Sequence, residues 1–390
     1  MVNQVGKIRL REDEYKVLKD NEKSVKVYRI QADEGFKLKL HNGKLIEVRE
    51  GQLGGYVQNL HNIETTGQSW VGVNGVVMNN AYIKSGYVGD YSVVSGNAVV
   101  DGGIVYEYAK VMDTATVKGE VKGQAKVKGY AVIEKDGIVQ DKARIYDKAC
   151  ISGRVEGNAV VKGYASIGIG VLVINKAIVK EQARVEGYVC IRGEACVGGD
   201  AQVSGYAPTK LNLDSEEVSN KKGVLYHSKH GIDISGNAMI IDDANISGNC
   251  SIGEHAIVGG RASVCEYANV SGYADIGGDS VIRAQSIVYG LAKLRGKVIT
   301  AGQAIVCDHA ALDGSNGDIV VCGKAMVGGQ AYIATEMTIA NTEVVVKRDN
   351  KIIDENNAIY KKARFKYSEA RLFSNIGNKM SQVTAGLRVD

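Results

Sequence analysis

Residues 121–133 read VKGQAKVKGYAVI, and every second residue is Val, Gly, Ala or Ile. The unit inside this stretch is Ala-x-Val-x-Gly-x, as in Ala125, Val127 and Gly129, and a new unit opens at Ala131. An apolar period of two belongs to a strand with one buried face. A period of six laid over it ends each strand and turns the chain at regular intervals. Ala and Val of each unit point into an interior. The third slot holds Gly, or in some units Asp, Glu, Asn or Lys, and Gly suits it best because it lacks a Cβ to clash at positive φ.

Outward from this stretch, small and aliphatic residues keep to odd numbers from Ala109 to Ala207. Three such units close one triangular coil of about 18 residues, and stacked coils lie ~4.8 Å apart. The expected fold is all-β, a left-handed parallel β-helix of hexapeptide repeats, with its hand taken from the six-residue unit and from the resemblance described below. Stability is then a sum over neighbouring coils, and the ends need caps. A narrow lumen also explains the composition. The chain of 390 residues has 48 Gly, one Pro and 20 Tyr but three Phe and one Trp, and Phe36, Phe365 and Phe373 all lie outside the repeats.

The register breaks in defined places. VKGQ (121–124) and VEGN (155–158) are four-residue units that shorten a side without changing which face is buried, and they resemble units of bactofilin-type right-handed helices, so the right-handed alternative stays open at this point. From Ile232 to Leu312 the inward set moves to even numbers, and after DGSNGD (313–318) it returns to odd ones. Each flip requires an odd-length insertion. The segment from 207 to 231 holds the only Pro and has no usable period, so it reads as a loop ejected from one corner. The resulting organisation is a small N-terminal β region and opening motif (1–66), a first β-helix block (67–207), the ejected loop (208–231), a second block (232–340) and a C-terminal cap (341–390). HNG (41–43) is a hairpin turn in the first of these. In the cap, TEVVVKRDNKIID reads as a hairpin and Leu372, Phe373, Ile376 and Met380 have helical spacing.

The formal net charge is +4 with both signs interspersed, which argues against nucleic acid. No stretch has the form of a signal peptide or of a membrane span. The seven Cys contain no C-x-x-C pair, and the alternation turns Cys250 inward and the other six outward. They read as free thiols of a reducing compartment, hence a cytoplasmic protein.

Two stretches carry a more specific pattern: VYRIQA (27–32) and GQLGGYVQNLHNIETTGQSWV (51–71), followed directly by the repeats. This order resembles the YdcK-like hexapeptide-repeat proteins of bacteria, phages and prophages. The matching positions are Tyr28, Arg29, Ile30 and Ala32, then Gly51, Leu53, Gly54, Gly55, Tyr56 and Val57, then Gly67, Trp70 and Val71, while Gln52 departs from the usual Asp. The resemblance implies a left-handed β-helix of the trimeric hexapeptide-acyltransferase superfamily, and for a phage-encoded chain it implies the cytoplasm of a bacterial host. It does not imply a reaction, since fold alone is weak evidence of function. Leu53, Gly54, Gly55 and Tyr56 read as a tight opening turn, with Trp70 plugging the first coil.

Chemistry is sparse. An acyltransferase of this superfamily would need a His base near acetyl-coenzyme A, and His227 and His230, at the end of the ejected loop, are the candidates for that alternative. His255 and His309 point outward beside corners and read as solvated. Asp113, Asp141, Asp147, Glu181, Asp242, Glu254, Glu266 and Asp308 fill corner slots at irregular spacing, which fits turn residues rather than a calcium ladder, so no metal and no cofactor is assigned. The stronger signal is Tyr. Tyr130, Tyr164, Tyr188, Tyr206 and Tyr273 each follow a corner Gly and point outward, and Lys148 falls between the first two. Exposed Tyr with interleaved Lys suits a subunit interface or a groove for a small anionic, nucleotide- or sugar-like ligand. The reading favoured is a non-catalytic binding or scaffold protein of phage type, assembling with itself as a homotrimer.

Overall fold

The computed structural model describes residues 6–20, 23–206 and 231–340, together with the backbone of Val344–Lys347 and Ile352–Ile353. The chain is nearly all β, a parallel β-solenoid of about 14 turns, and Leu60–Asn62 is the one short helical turn among the described residues. Most strands are two residues long, an outward residue followed by an inward one, as in Lys126–Val127. This is the local consequence of a turn slot every six residues.

The inward residues form three columns. Val94, Val111, Val127, Ile145 and Val161 pair one above another on what is here face A. Val100, Val117, Ile133, Ile151 and Ile167 do so on face B. Val105, Val121, Val139, Val155 and Val173 complete face C. All of them are buried, with the preceding inward residue, mostly Ala on faces A and B and mostly Gly on face C, filling the corners between. The burial of each such Val contributes on the order of 2 kcal/mol, repeated coil after coil.

Coil length varies, and in the first half it varies at one corner. Lys110 lies opposite Lys126, a coil of sixteen residues, whereas Lys126 lies opposite Arg144, a coil of eighteen. The missing pair is lost between Thr116–Val117 and Glu120–Val121, and again between Cys150–Ile151 and Arg154–Val155. Both places are the B–C corner, and the alternation survives both deletions as expected. The described chain also stops at Tyr206 and resumes at residue 231 on that corner, so the expected ejected loop lies outside the described residues. The second flip has a visible cause at the A–B corner. There Gly296 and Val298 pair with Gly314 and Ile319, which leaves three extra residues in the later strand, an odd number.

At the N-terminus β1 (Ile8–Asp20) and β2 (Lys23–Ala32) form a long antiparallel hairpin, and β3 (Phe36–Lys39) and β4 (Leu45–Val48) a short one closed at Gly43. The expected opening turn is instead a strand, β5 (Leu53–Val57). It pairs antiparallel with β2 and in parallel with Val76–Val77, so the hairpin runs straight into the solenoid sheet. The two glycines are required by packing. A Cβ at Gly54 would lie 2.6 Å from Ile30 and 2.8 Å from Trp70, and one at Gly55 would lie 2.4 Å from the Gly72 and Gly75 carbonyls. Trp70 is buried edge-on against Phe36, with ring centroids 5.9 Å apart.

Past Ile339, Val344–Lys347 pairs in parallel with Met326–Gly329, and Ile352–Ile353 with Tyr332–Ile333. The chain therefore adds part of another coil where a hairpin was expected, because its Val-rich run continues the coil-on-coil hydrogen bonding. The helical spacing at 372–380 lies outside the described residues. Cys307 also departs from expectation. It sits at an outward position yet is 1% exposed, with Tyr289 of the coil below beside it, and burial pushes its thiol up to about 12.

Candidate functional site

The corners come first, because they set where outward side chains can stand. All eight acids named above have φ between 57° and 62°, in the left-handed region. Their carboxylates are not idle. Asp113 Oδ2 accepts the Gly129 N–H at 3.0 Å, Asp147 Oδ2 that of Gly163 at 3.0 Å, Asp141 Oδ2 that of Gly157 at 3.0 Å, and Asp242 Oδ2 that of Gly260 at 2.9 Å. Each of these four acids, and likewise Glu181 and Asp308, thus bonds a Gly of the following coil. No group of three or more His, Cys, Asp and Glu with the geometry of a metal site occurs among the described residues.

The structure divides the Tyr candidates among three corners. Tyr130, Lys148 and Tyr164 share the A–B corner in successive coils, since Tyr130 N–H donates to Asp147 O and Lys148 N–H to Gly163 O. Lys148 Nζ donates to Tyr164 Oη at 3.1 Å and lies 4.8 Å from the centroid of that ring, which raises the lysine above its ordinary pKa. Tyr188 and Tyr206 stand one above the other on the B–C corner, joined by a backbone bond of 3.0 Å. Tyr273 is on the C–A corner, where its ring stacks on His255 with centroids 4.5 Å apart and planes 10° apart. Tyr91 and Tyr108 stack on the same corner at 5.2 Å. The six candidates therefore do not line one groove.

Sequence reasoning passed over what stands beside the first group. On face A, Lys110, Lys126 and Arg144 occupy the outward position of three successive coils. Lys128 and Lys162 flank Tyr146 in the neighbouring column, with Lys128 Nζ 4.9 Å from its ring centroid. With Lys148 these are six exposed cations on one side of the solenoid. None of the six forms an ion pair among the described residues, whereas the half-exposed Lys180, one coil further on, pairs with Glu181 at 2.8 Å. Acids do stand at the corners on either side, but Glu107, Asp113, Asp141 and Asp147 each have one carboxylate oxygen committed to a Gly N–H, and Glu181, whose charge also acts on Lys162, bonds Lys180 and the Gly199 N–H. Beyond this region the same face carries Met239, Ile257 and Asp275 at the equivalent position. The signal was present in the sequence as Lys or Arg directly after Ala at 110, 126 and 144, but it appears only once the chain is wound into coils of unequal length.

Three further titratable groups have partners within the fold. Glu120, 8% exposed, accepts from Tyr106 Oη at 2.7 Å and Lys122 Nζ at 2.6 Å. Burial alone would raise its pKa, but those two hydrogen bonds and the Lys122 charge outweigh burial and hold it below the ordinary value. Among the histidines, His41 Nδ1 lies 3.1 Å from Gly102 O, which docks the β3–β4 turn on the solenoid. His255 Nε2 lies 3.1 Å from Asn237 Nδ2. His227 and His230 are outside the described residues.

No family model matches the chain, and no curated protein does. Among solved structures, it is similar to LpxA from Acinetobacter baumannii at 14% identity, over 48% of this chain and 66% of that one, with a TM-score of 0.19. It is also similar to a UDP-N-acetylglucosamine acyltransferase from Campylobacter jejuni at 14% identity, over 59% of this chain and 82% of that one, with a TM-score of 0.22. This chain thus spans just under two thirds of the first. Superposition at this level says nothing of what the present chain binds or does. No helix among the described residues is long and apolar enough to cross a membrane.

Proposed function

We propose that this protein is a β-helical binding protein that holds an anionic ligand on face A and performs no chemistry on it. The observation that carries this reading is the set of six exposed cations without carboxylate partners, held on a rigid scaffold beside exposed Tyr130 and Tyr164. Unpaired cations at fixed spacing raise the local potential and cost little to organise when a ligand arrives. The ligand is placed on the face of one chain rather than in a groove between subunits. Self-association as a homotrimer remains part of the proposal, with Tyr188 and Tyr206 as its candidate contact, and the YdcK-like pattern at 28–71 is in keeping with it as a resemblance. Titration calorimetry with inorganic polyphosphate at low salt tests the reading. Binding by the parent and its loss in Lys126→Gln with Lys128→Gln and Arg144→Gln is expected, and unchanged binding in that variant refutes it.

A second reading is acyl transfer from acetyl-coenzyme A, with His227 and His230 as its candidate bases, while His255 is held between Asn237 and Tyr273. In the tautomer where Asn237 donates to Nε2, Nδ1 carries the proton and neither nitrogen is free to act as a base. Acetyl-coenzyme A binding lost in His255→Ala, or in His227→Ala with His230→Ala, would promote this reading over the first.

A further inference from the structure

We infer that the ligand of face A is a single strand of nucleic acid laid along the axis of the solenoid, an assignment that rests on the anion-binding reading above and names its ligand. The net charge of +4 pointed away from nucleic acid because it sums the whole chain. Winding the chain collects Lys110, Lys126, Lys128, Arg144, Lys148 and Lys162 on one side, while many of the chain's other cations are paired with acids of adjacent coils, as in Lys118 with Glu134, Lys176 with Glu194 and Arg261 with Asp279.

Three features of the strip choose the ligand. Its cations run parallel to the axis, because each column repeats at the coil spacing of ~4.8 Å. From the coil of Lys110 to that of Lys162 is three steps, ~14 Å, which suits an extended chain of charges and is short against a rigid duplex. The columns are also narrow. Lys126 and Lys128 are two residues apart, ~7 Å at strand geometry, so one backbone fits between them and two do not. Finally, Tyr130 and Tyr164 flank Lys148 at the corner, 63% and 62% exposed. A basic track for phosphates beside aromatic rings for bases is how single strands are held without sequence preference, with site sizes from ~4 nucleotides. A sulfated or phosphorylated polymer without bases would use the cations and leave the rings idle.

Fluorescence anisotropy with labelled dT12, competed by linear polyphosphate of twelve units and by a twelve-base-pair duplex, tests this. A slope of log K against log salt between about −2 and −4 is expected, from ~0.7 per phosphate contact on a single strand. Tyr130→Ala with Tyr164→Ala should weaken dT12 about tenfold or more and leave polyphosphate competition within about threefold. Lys126→Gln with Arg144→Gln should weaken both and flatten the slope by about 1.4. If the Tyr variant leaves dT12 unchanged, or the duplex outcompetes the single strand, the nucleic-acid assignment falls while the anion strip stands. If the parent binds neither dT12 nor polyphosphate at 50 mM salt, both fall together.

Discussion

Gly163→Ala isolates the rule that builds the corners. Gly163 has φ +76°, and a Cβ added there would lie 2.7 Å from Glu181 O, 2.8 Å from its N and 3.0 Å from its Cα. The left-handed conformation costs an L-residue ~1–2 kcal/mol. Relieving contacts that short means moving a coil by about half an ångström against hydrogen bonds on both sides, another ~1–3 kcal/mol. The expected loss is therefore ~2–5 kcal/mol. Asp147→Gly, in the coil below, is the counter-case. It gives up the Asp147–Gly163 bond, worth ~1 kcal/mol at an exposed site, and adds chain entropy of ~0.5–1 kcal/mol, but it removes the strain of an L-residue at φ 58°. The net change should stay within about 1 kcal/mol. A solenoid need not unfold in one step, so the measurement is amide hydrogen exchange in peptides spanning 140–185. Protection should fall on both sides of position 163 in the first variant and little in the second. Equal loss in both would show that the close approach at Gly corners is not what selects Gly.

Other outcomes follow from the same geometry. Val127→Asp buries an unpaired charge in the lumen and should cost several kcal/mol, whereas Lys126→Asp, exposed one residue away, should cost ~0.5 kcal/mol or less; comparable losses in chemical denaturation would overturn the register. Glu120 is held below its ordinary pKa, so its contribution is present above the unfolded-state value and lost as pH falls through the lower folded one. Glu120→Gln should therefore remove part of the acid-side loss of stability between neutral pH and pH 3, and an unchanged pH profile would count against the network with Tyr106 and Lys122. If Tyr188 and Tyr206 face a second subunit, changing both to Ala should lower the sedimentation coefficient, since losing a buried interface aromatic commonly costs ~2 kcal/mol or more; sedimentation like that of the parent would leave them as surface side chains.

How much of this was legible before the fold was known depends on the distance over which each feature is encoded. The inward columns are set by alternation within six residues, and so Val127, Ile145 and Ile240 could be placed inside from local pattern alone. The corner acids could be placed as turn residues, but six of them not as acceptors for Gly of the next coil, because that partner lies sixteen to twenty-one residues away. Gly54 and Gly55 looked like a turn since Gly-Gly usually is one; the reason for them, the nearness of Trp70 and of the Gly72 carbonyl, is tertiary. Tyr273 was grouped with Tyr130 because both follow a corner Gly, yet the two follow different corners, which only coil counting separates. The basic strip stayed hidden for the same reason: its members are neighbours across coils and strangers along the chain.

The unequal coils also give the molecule a mechanical signature. Neighbouring coils are joined by short strand pairs whose hydrogen bonds run along the axis, so a pull on the two ends loads those bonds one coil at a time, as in peeling. A released coil of eighteen residues lengthens from a ~4.8 Å step to ~60 Å of extended chain, and one of sixteen to ~53 Å. Force against extension should then show teeth of mostly similar spacing, shorter where Lys110 faces Lys126 and where Arg144 faces Val160, somewhat longer where Ile305 faces Met326, and more than twice as long where Cys196 faces Met239. Read from one end, the spacing of the teeth would spell out which coils lack the Ala-x pair.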